Sequence, residues 1–239
     1  MAPAVKIKLA CRAYDGALPI LRGHARIPEF DIDVVETEDV PAMFAAMFKG
    51  EYDVSEMSLG ELIYYVSRDR ADFVGIPVFP SRMFRHGFIF CRKALDIHNP
   101  TELSGKKIGF LRWVQTAAIW MRGMLVEEYG VSTRHTQWYV SSMHHWDDSD
   151  PGAGVAPGDG SVVQRIQSAG KNTSERACQA LFEGEIDALG VTESQLPLLL
   201  AHREVKRLFE NSREVEADYF RQTKVLPIMH LMVLKKDLA

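Results

Sequence analysis

Apolar and polar residues alternate across positions 5–11, so the chain is expected to open with a strand. Positions 32–36 repeat that alternation, and an acidic segment follows. From Val40 the period changes: Val40, Met43, Phe44 and Met47 recur at helical spacing. Gly50 supplies the left-handed residue that ends such a helix. Positions 52–57 predict a short buried strand, and 58–67 a helix with Leu59, Leu62, Ile63 and Val66 inward. Two further apolar runs, 73–79 and 87–91, read as strands. After Asn99-Pro100 the pattern restarts, with a helical turn at 101–103 and a strand at 107–111. An amphipathic helix over 116–129 stops at Gly130, and a strand follows at 137–140. Positions 144–161 are polar and rich in Gly, Pro and Asp, which predicts a long loop. A helix at 174–182, a strand at 186–191 and a crossing apolar segment at 225–234 complete the series. Strands alternating with helices predict an α/β architecture with largely parallel sheets.

One segment recurs. Phe48-Lys49-Gly50-Glu51-Tyr52-Asp53-Val54 is similar to Phe182-Glu183-Gly184-Glu185-Ile186-Asp187-Ala188. Each copy follows an amphipathic helix and precedes an apolar run. A hydroxyl and an acid come next in both, Ser55-Glu56 and Thr192-Glu193. The repetition predicts two lobes built on one helix–glycine–strand unit, with the strand ends of both facing a cleft. Ligands of open α/β sheets bind beyond the carboxyl ends of the strands.

Composition narrows the classes. The chain has 239 residues, 46% hydrophobic and 25% charged, which excludes disorder, collagen and coiled coil. Lys and Arg number 28 against 32 Asp and Glu, a net charge of -4, so a nucleic-acid partner is not expected. There is no run of about 18 apolar residues, the length a membrane-spanning helix needs. No signal-peptide pattern opens the chain, and a cytoplasmic location is expected. Cys11, Cys91 and Cys178 show neither metal spacing nor a disulfide framework and are expected as buried free thiols. The glycine motifs of nucleotide sites and of serine hydrolases are missing.

Candidate chemistry gathers in three places. The segment 77–87 holds Arg82, Arg85 and His86 between two strands. Arginine forks grip carboxylates, and histidine moves a proton near neutral pH. The bland reading is a solvated connector with surface arginines. The second place is Ser55-Glu56-Met57-Ser58, at a strand end and helix start. There Ser58 is a candidate helix cap, with Glu61 at the capping-box position, and Glu56 a candidate acid or acceptor. Third, Trp113, Gln115 and Thr116 lead into a helix, with Trp113 as a stacking platform or a packed core residue. His144 and His145 stand beside acids, but adjacent histidines lack helical metal spacing, so a solvated loop is expected and no metal. His230, in the crossing segment, reads as a core residue.

These residues carry a resemblance. Tyr52-Asp53-Val54-Ser55-Glu56-Met57-Ser58-Leu59 and Ile76-Pro77-Val78-Phe79-Pro80-Ser81-Arg82-Met83-Phe84-Arg85-His86 resemble the 4,5-dihydroxyphthalate decarboxylase family. Gln115-Thr116-Ala117-Ala118, Trp120, Arg122-Gly123, Glu128-Tyr129-Gly130-Val131, Gly184-Glu185-Ile186-Asp187-Ala188-Leu189 and Pro227-Ile228-Met229-His230 extend it over most of the chain. The resemblance implies the type 2 periplasmic-binding-protein-like fold, two α/β lobes around a central ligand cleft. The first lobe is then 1–90 with 225–239, and the second 91–224.

The activity implied is non-oxidative decarboxylation of a dihydroxylated aromatic dicarboxylate, 4,5-dihydroxyphthalate to protocatechuate and CO2. A phenol para to the leaving carboxylate pushes electrons into the ring, an acid protonates the ring carbon, and CO2 departs. In this scheme His86 donates the proton. Arg82 and Arg85 clamp carboxylate, with Arg12 helping. Glu56 accepts from a ring hydroxyl, and Ser55, Ser58, Gln115 and Thr116 orient the substrate. Tyr14, Trp113, Thr192 and His230 complete the expected substrate-binding set. The scheme requires no organic cofactor, and its partner is a small aromatic carboxylate rather than a nucleic acid or a membrane. The competing class is a solute-binding protein or sensor for the same kind of ligand, since one fold serves many functions. Two departures from the family stand out. Gly190-Val191-Thr192-Glu193-Ser194 lacks an arginine expected there, and the chain stops at Ala239, where relatives continue into C-terminal helices. An apolar patch on the first lobe, and with it a homo-oligomer, is the expected consequence.

Overall fold

The computed structural model describes residues 4–142 and 162–239. Two compact units emerge: Met1–Met83 with Ile228–Ala239, and Phe84–Pro227. They divide at Met83/Phe84 and Pro227/Ile228, against the 90/91 and 224/225 boundaries expected from the sequence.

The first unit runs β1 (Val5–Cys11), α1 (Leu18–Leu21), β2 (Phe30–Glu36), α2 (Val40–Phe48), β3 (Val54–Ser58), α3 (Leu59–Val66) and β4 (Phe73–Arg82). The second contains β5 (Ile89–Arg92), β6 (Lys107–Phe110), α4 (Thr116–Glu127), β7 (Gln137–Val140), β8 (Val163–Arg165), α5 (Thr173–Glu183), β9 (Ala188–Gly190), α6 (Leu196–Ala201), β10 (Val205–Arg207) and α7 (Ser212–Thr223). The chain then returns to the first unit as β11 (Ile228–Lys235). Among the described residues no helix is long and apolar enough to cross a membrane.

The first sheet has the order β2-β1-β3-β11-β4, and the second β10-β5-β9-β6-β7-β8. In the first, β1 pairs parallel with β2 and β3, while β11 runs antiparallel between β3 and β4. In the second, β6 pairs parallel with β7 and β9, while β5 runs antiparallel between β9 and β10. The two sheets therefore share one five-strand plan, to which β8 adds an edge. Pro77 and Pro80 lie in β4, an edge strand, where a missing N–H leaves no central ladder unpaired.

The repeated segment accounts for the shared plan. Gly50 and Gly184 end α2 and α5 at φ +72° and +78°, a region open to glycine without a Cβ clash. Three residues on, Asp53 Oδ2 accepts the Lys8 backbone N–H at 2.9 Å and Oδ1 accepts Lys235 Nζ at 2.9 Å. In the other unit Asp187 Oδ2 accepts the Lys107 backbone N–H at 3.0 Å and Oδ1 accepts Arg92 Nη2 at 2.9 Å. Each aspartate thus ties the backbone of a parallel neighbour to a cation at the end of an antiparallel one.

Core packing follows the helix stripes with one correction. Met43, Phe44 and Met47 of α2 are buried, at the spacing the sequence shows. In α3, Ile63 and Val66 are 60% and 56% exposed, although both were expected inward. That helix starts directly at the end of β3, which turns Glu61, Leu62 and Tyr65 to the interior instead. The second unit packs Phe90, Ile166, Leu181, Ile186 and Leu189 in one cluster. Cys11, Cys91 and Cys178 are buried free thiols. Burial pushes Cys91 and Cys178 up to about 11, so neither is a reactive thiolate at neutral pH.

Candidate functional site

The first unit centres on Glu56. It occupies the middle of β3 and is fully buried, between β1 and β11. A carboxylate in that position is costly unless donors surround it. Four do. Glu56 Oε1 accepts from the Tyr14 hydroxyl at 2.6 Å and pairs with His230 Nδ1 at 2.5 Å. Oε2 accepts from the Arg12 backbone N–H at 3.2 Å and the Cys11 thiol at 3.8 Å. Burial alone pushes the Glu56 carboxyl up, but His230, Tyr14 and the Arg12 N–H outweigh it, and the net direction is down. Glu56 is therefore ionised at neutral pH. Burial, and then the Glu56 charge, push the Tyr14 phenol up and the Cys11 thiol up to about 12, so both remain protonated donors.

The ionised carboxylate fixes the His230 tautomer: Nδ1–H points at Glu56, and Nε2 is the ring's acceptor nitrogen. Phe44 of α2 holds the ring edge-on at 5.2 Å between centroids. Beside the cluster lies a cavity of about 410 Å³, walled by Cys11, Tyr14, Ile76, Phe79 and Met232 among others. Its walls carry no charged side chain.

The other expected residues of this unit are placed as follows. The Ser55 hydroxyl is spent on the Glu56 backbone carbonyl at 2.9 Å. Ser58 sits at the N-cap of α3 and pairs with His230 across β3 and β11, but makes no side-chain cap bond, contrary to the capping-box expectation. Arg12 directs Nε to Glu38 at 2.8 Å. Arg82 ends β4 as an exposed guanidinium over the Phe79 ring.

In the second unit, His86, the expected proton donor, is enclosed. It is 1% exposed, against the rings of Tyr129, Phe209 and Tyr219 at 6.0, 5.2 and 5.2 Å between centroids. Among the described residues neither ring nitrogen has a hydrogen-bond partner, and burial pushes the imidazole down to about 4. Arg85 is buried too, with Nη1 3.7 Å from Glu193 and its guanidinium over Phe88. Part of its charge is thus answered within the protein.

Thr192 caps the short turn at Glu193–Gln195, its hydroxyl and N–H both bound to Gln195 Oε1 at 2.9 and 3.0 Å. Gln115 is the N-cap of α4 without a side-chain cap bond, and Thr116 is buried. Trp113 is buried, edge-on to Trp138. His144 and His145 lie outside the described residues. By its place in the chain His230 read as a core residue and by resemblance as a substrate-binding one, and neither reading named its carboxylate partner. The signal available was indirect: a histidine in an apolar strand and a glutamate in another must each find a partner.

No protein-family model matches the chain. It is 30% identical over 237 residues to 4,5-dihydroxyphthalate decarboxylase of Comamonas testosteroni, covering 98% of this chain and 69% of that protein. It is 24% identical over 217 residues to 4,5-dihydroxyphthalate decarboxylase of Pseudomonas putida, covering 91% and 82%. Among solved structures it is similar to the alkanesulfonate-binding protein SsuA of Xanthomonas axonopodis pv. citri bound to MOPS. That match has TM-score 0.54, 14% identity and coverage of 100% of this chain and 68% of that one. The aliphatic sulphonate binding protein SsuA of Escherichia coli matches with TM-score 0.58, 15% identity and coverage of 99% and 63%. At these identities the structures show the fold alone: α/β, two-unit and periplasmic-binding-protein-like, as the resemblance implied. The first sequence match, nearly end to end in this chain, shows that the protein belongs to the 4,5-dihydroxyphthalate decarboxylase family.

Proposed function

We propose that the protein removes CO2 without oxidation from a dihydroxylated aromatic dicarboxylate, converting 4,5-dihydroxyphthalate to protocatechuate. The observation that carries this reading is the buried Glu56 carboxylate, which holds both Tyr14 and His230 as donors in a chain of this family.

The reaction consumes one proton. Electron density from the para oxygen lets the ring carbon that bears the leaving carboxylate accept that proton. The carbon–carbon bond then breaks, its electron pair returns to the ring, and CO2 leaves as a neutral molecule. The protein must supply an acid at the ring carbon and hold the ring still. His230 takes up a proton at Nε2 from solvent and passes it to the ring carbon, while Glu56 keeps Nδ1–H engaged and the ring oriented. Tyr14 and the Arg12 N–H keep Glu56 ionised in its apolar surroundings. Arg82 offers an exposed cation for a carboxylate. His86, neutral and enclosed, packs the second unit and takes no proton-transfer role.

The test is incubation of purified protein with 4,5-dihydroxyphthalate, following protocatechuate and CO2 together. Stoichiometric appearance of both supports the reading. Saturable binding with neither product would replace it with that of a binding protein or sensor.

A further inference from the structure

Arg122 places a cation inside the second unit with no acid among the described residues to answer it. Its guanidinium lies 3.6 Å from the Trp113 ring centroid and 5.4 Å from that of Phe110. Nη1 is buried without a hydrogen-bond partner, and among the described residues no carboxylate forms an ion pair with it. Burial pushes the group down to about 9, which leaves it a cation at neutral pH. A second orphan sits in the same cluster: the indole N–H of Trp138 is buried and also unpartnered. Trp138 stacks on Phe110 at 6.2 Å and meets Trp113 edge-on at 5.9 Å, so the two orphaned donors share both aromatic neighbours.

The position suits a ligand. Trp113 lies in the connection from β6 to α4, at the carboxyl end of a central strand of its sheet. Open α/β sheets take ligands at that end. Helical side chains tilt toward the helix N-terminus, and this carries the Arg122 guanidinium back along α4 to Trp113. A buried arginine without a counter-charge destabilises a fold; such a group is tolerated where the counter-charge arrives with a ligand. Guanidinium and carboxylate are matched in shape as well as charge.

We propose that Arg122, with the Trp138 indole N–H as second donor, binds a carboxylate of the aromatic substrate. This deepens the decarboxylase reading and rests on it for the identity of the ligand. None of the expected site residues supplies this cation.

The experiment is a tryptophan-fluorescence titration with phthalate, which has both carboxylates but no hydroxyls to drive loss of CO2. Dimethyl phthalate, the neutral ester, is the control. Phthalate is expected to change the emission saturably and the ester to leave it unchanged. Arg122→Met is expected to weaken phthalate binding at least about tenfold, the scale of one lost charge-assisted contact, and Arg122→Lys by less. Without ligand, the Met variant is expected to melt at or above the parent temperature, because an unpaired buried charge has gone. Should Arg122→Met not fold, the Lys variant carries the test through its affinity. Unchanged phthalate affinity in the folded variants, or no phthalate binding by the parent, overturns the proposal. The two readings fail separately. Phthalate binding that depends on Arg122 without any turnover of 4,5-dihydroxyphthalate removes the decarboxylase and keeps the site. Full turnover in Arg122→Met with an unchanged KM removes the site and keeps the decarboxylase.

Discussion

Glu56 and His230 stand 174 residues apart in the chain and 2.5 Å apart in the first unit. The contact exists because the chain returns from the second unit as β11 and inserts between β3 and β4. Replacing His230 by Ala leaves a fully buried carboxylate one donor short. A lost hydrogen bond to a charged group costs about 1.5–3 kcal/mol, so the thermal midpoint is expected to fall. Loss of a general acid removes about 10²–10⁴ of rate, so protocatechuate formation is expected to drop on that scale. Both are read on one preparation by calorimetry and a product assay. Undiminished turnover in the variant would remove His230 as the acid.

Tyr14 tests the other side of the carboxylate. The folded pKa of Glu56 lies below its unfolded value, so the unfolded state binds more protons as the solution is acidified. The stabilisation is complete above the ordinary carboxylate range and is lost as pH falls through the folded pKa. Tyr14→Phe removes the 2.6 Å donor and returns the Glu56 carboxyl toward its usual range. Its acid-induced loss of stability is then expected to begin at higher pH than in the parent. The net cost at neutral pH is on the order of 1 kcal/mol. Urea midpoints measured across the acid range decide the matter, and superimposable profiles would show that the phenol does not sustain the charge.

His86 is expected to behave as packing. Its folded pKa of about 4 lies below the ordinary value of 6.5. The unfolded chain therefore takes up a proton below pH 6.5 while the folded ring stays neutral until about 4. Stability contributed by the neutral ring is full above that window and is lost as pH falls through it. Glu216 accepts the Gly87 N–H at 3.2 Å, and burial raises its carboxyl, which gives a slope of opposite sign. His86→Phe keeps the aromatic cage filled and leaves Glu216 in place, so the difference from the parent isolates the imidazole. The variant is expected to lose less stability between pH 6.5 and 4 and to retain turnover. A folded variant without turnover would restore His86 as the acid.

Much of this was legible in the chain. The segment around Gly50 and its copy around Gly184 announced two like units, because a left-handed helix end followed by an apolar strand leaves a local mark. Glu56 stood out as an acid in a buried strand. The pairing of Glu56 with His230 had no local mark, since it depends on where β11 inserts. The enclosure of His86 had no local mark for the same reason: beside two arginines it reads as chemistry, while the rings around it, from Tyr129 to Tyr219, lie far along the chain. Helix α7 was missed because none of its residues is buried, so it carries no apolar stripe to read.

The two glycines that marked the repeat differ in what surrounds them, and the difference is measurable. A Cβ on Gly50 meets nothing within 4 Å, so Gly50→Ala bears only the left-handed backbone, about 1 kcal/mol. A Cβ on Gly184 falls 2.7 Å from Arg92 Nη1 and 3.2 Å from Cζ. The guanidinium must then swing away and give up its 2.9 Å bond to Asp187. That loss adds about another 1 kcal/mol, so Gly184→Ala is expected to lower the thermal midpoint more than Gly50→Ala. In an Arg92→Ala background the excess is expected to vanish, because no side chain remains to be displaced. Equal costs for Gly184→Ala with and without Arg92 would show that the backbone conformation alone sets the penalty.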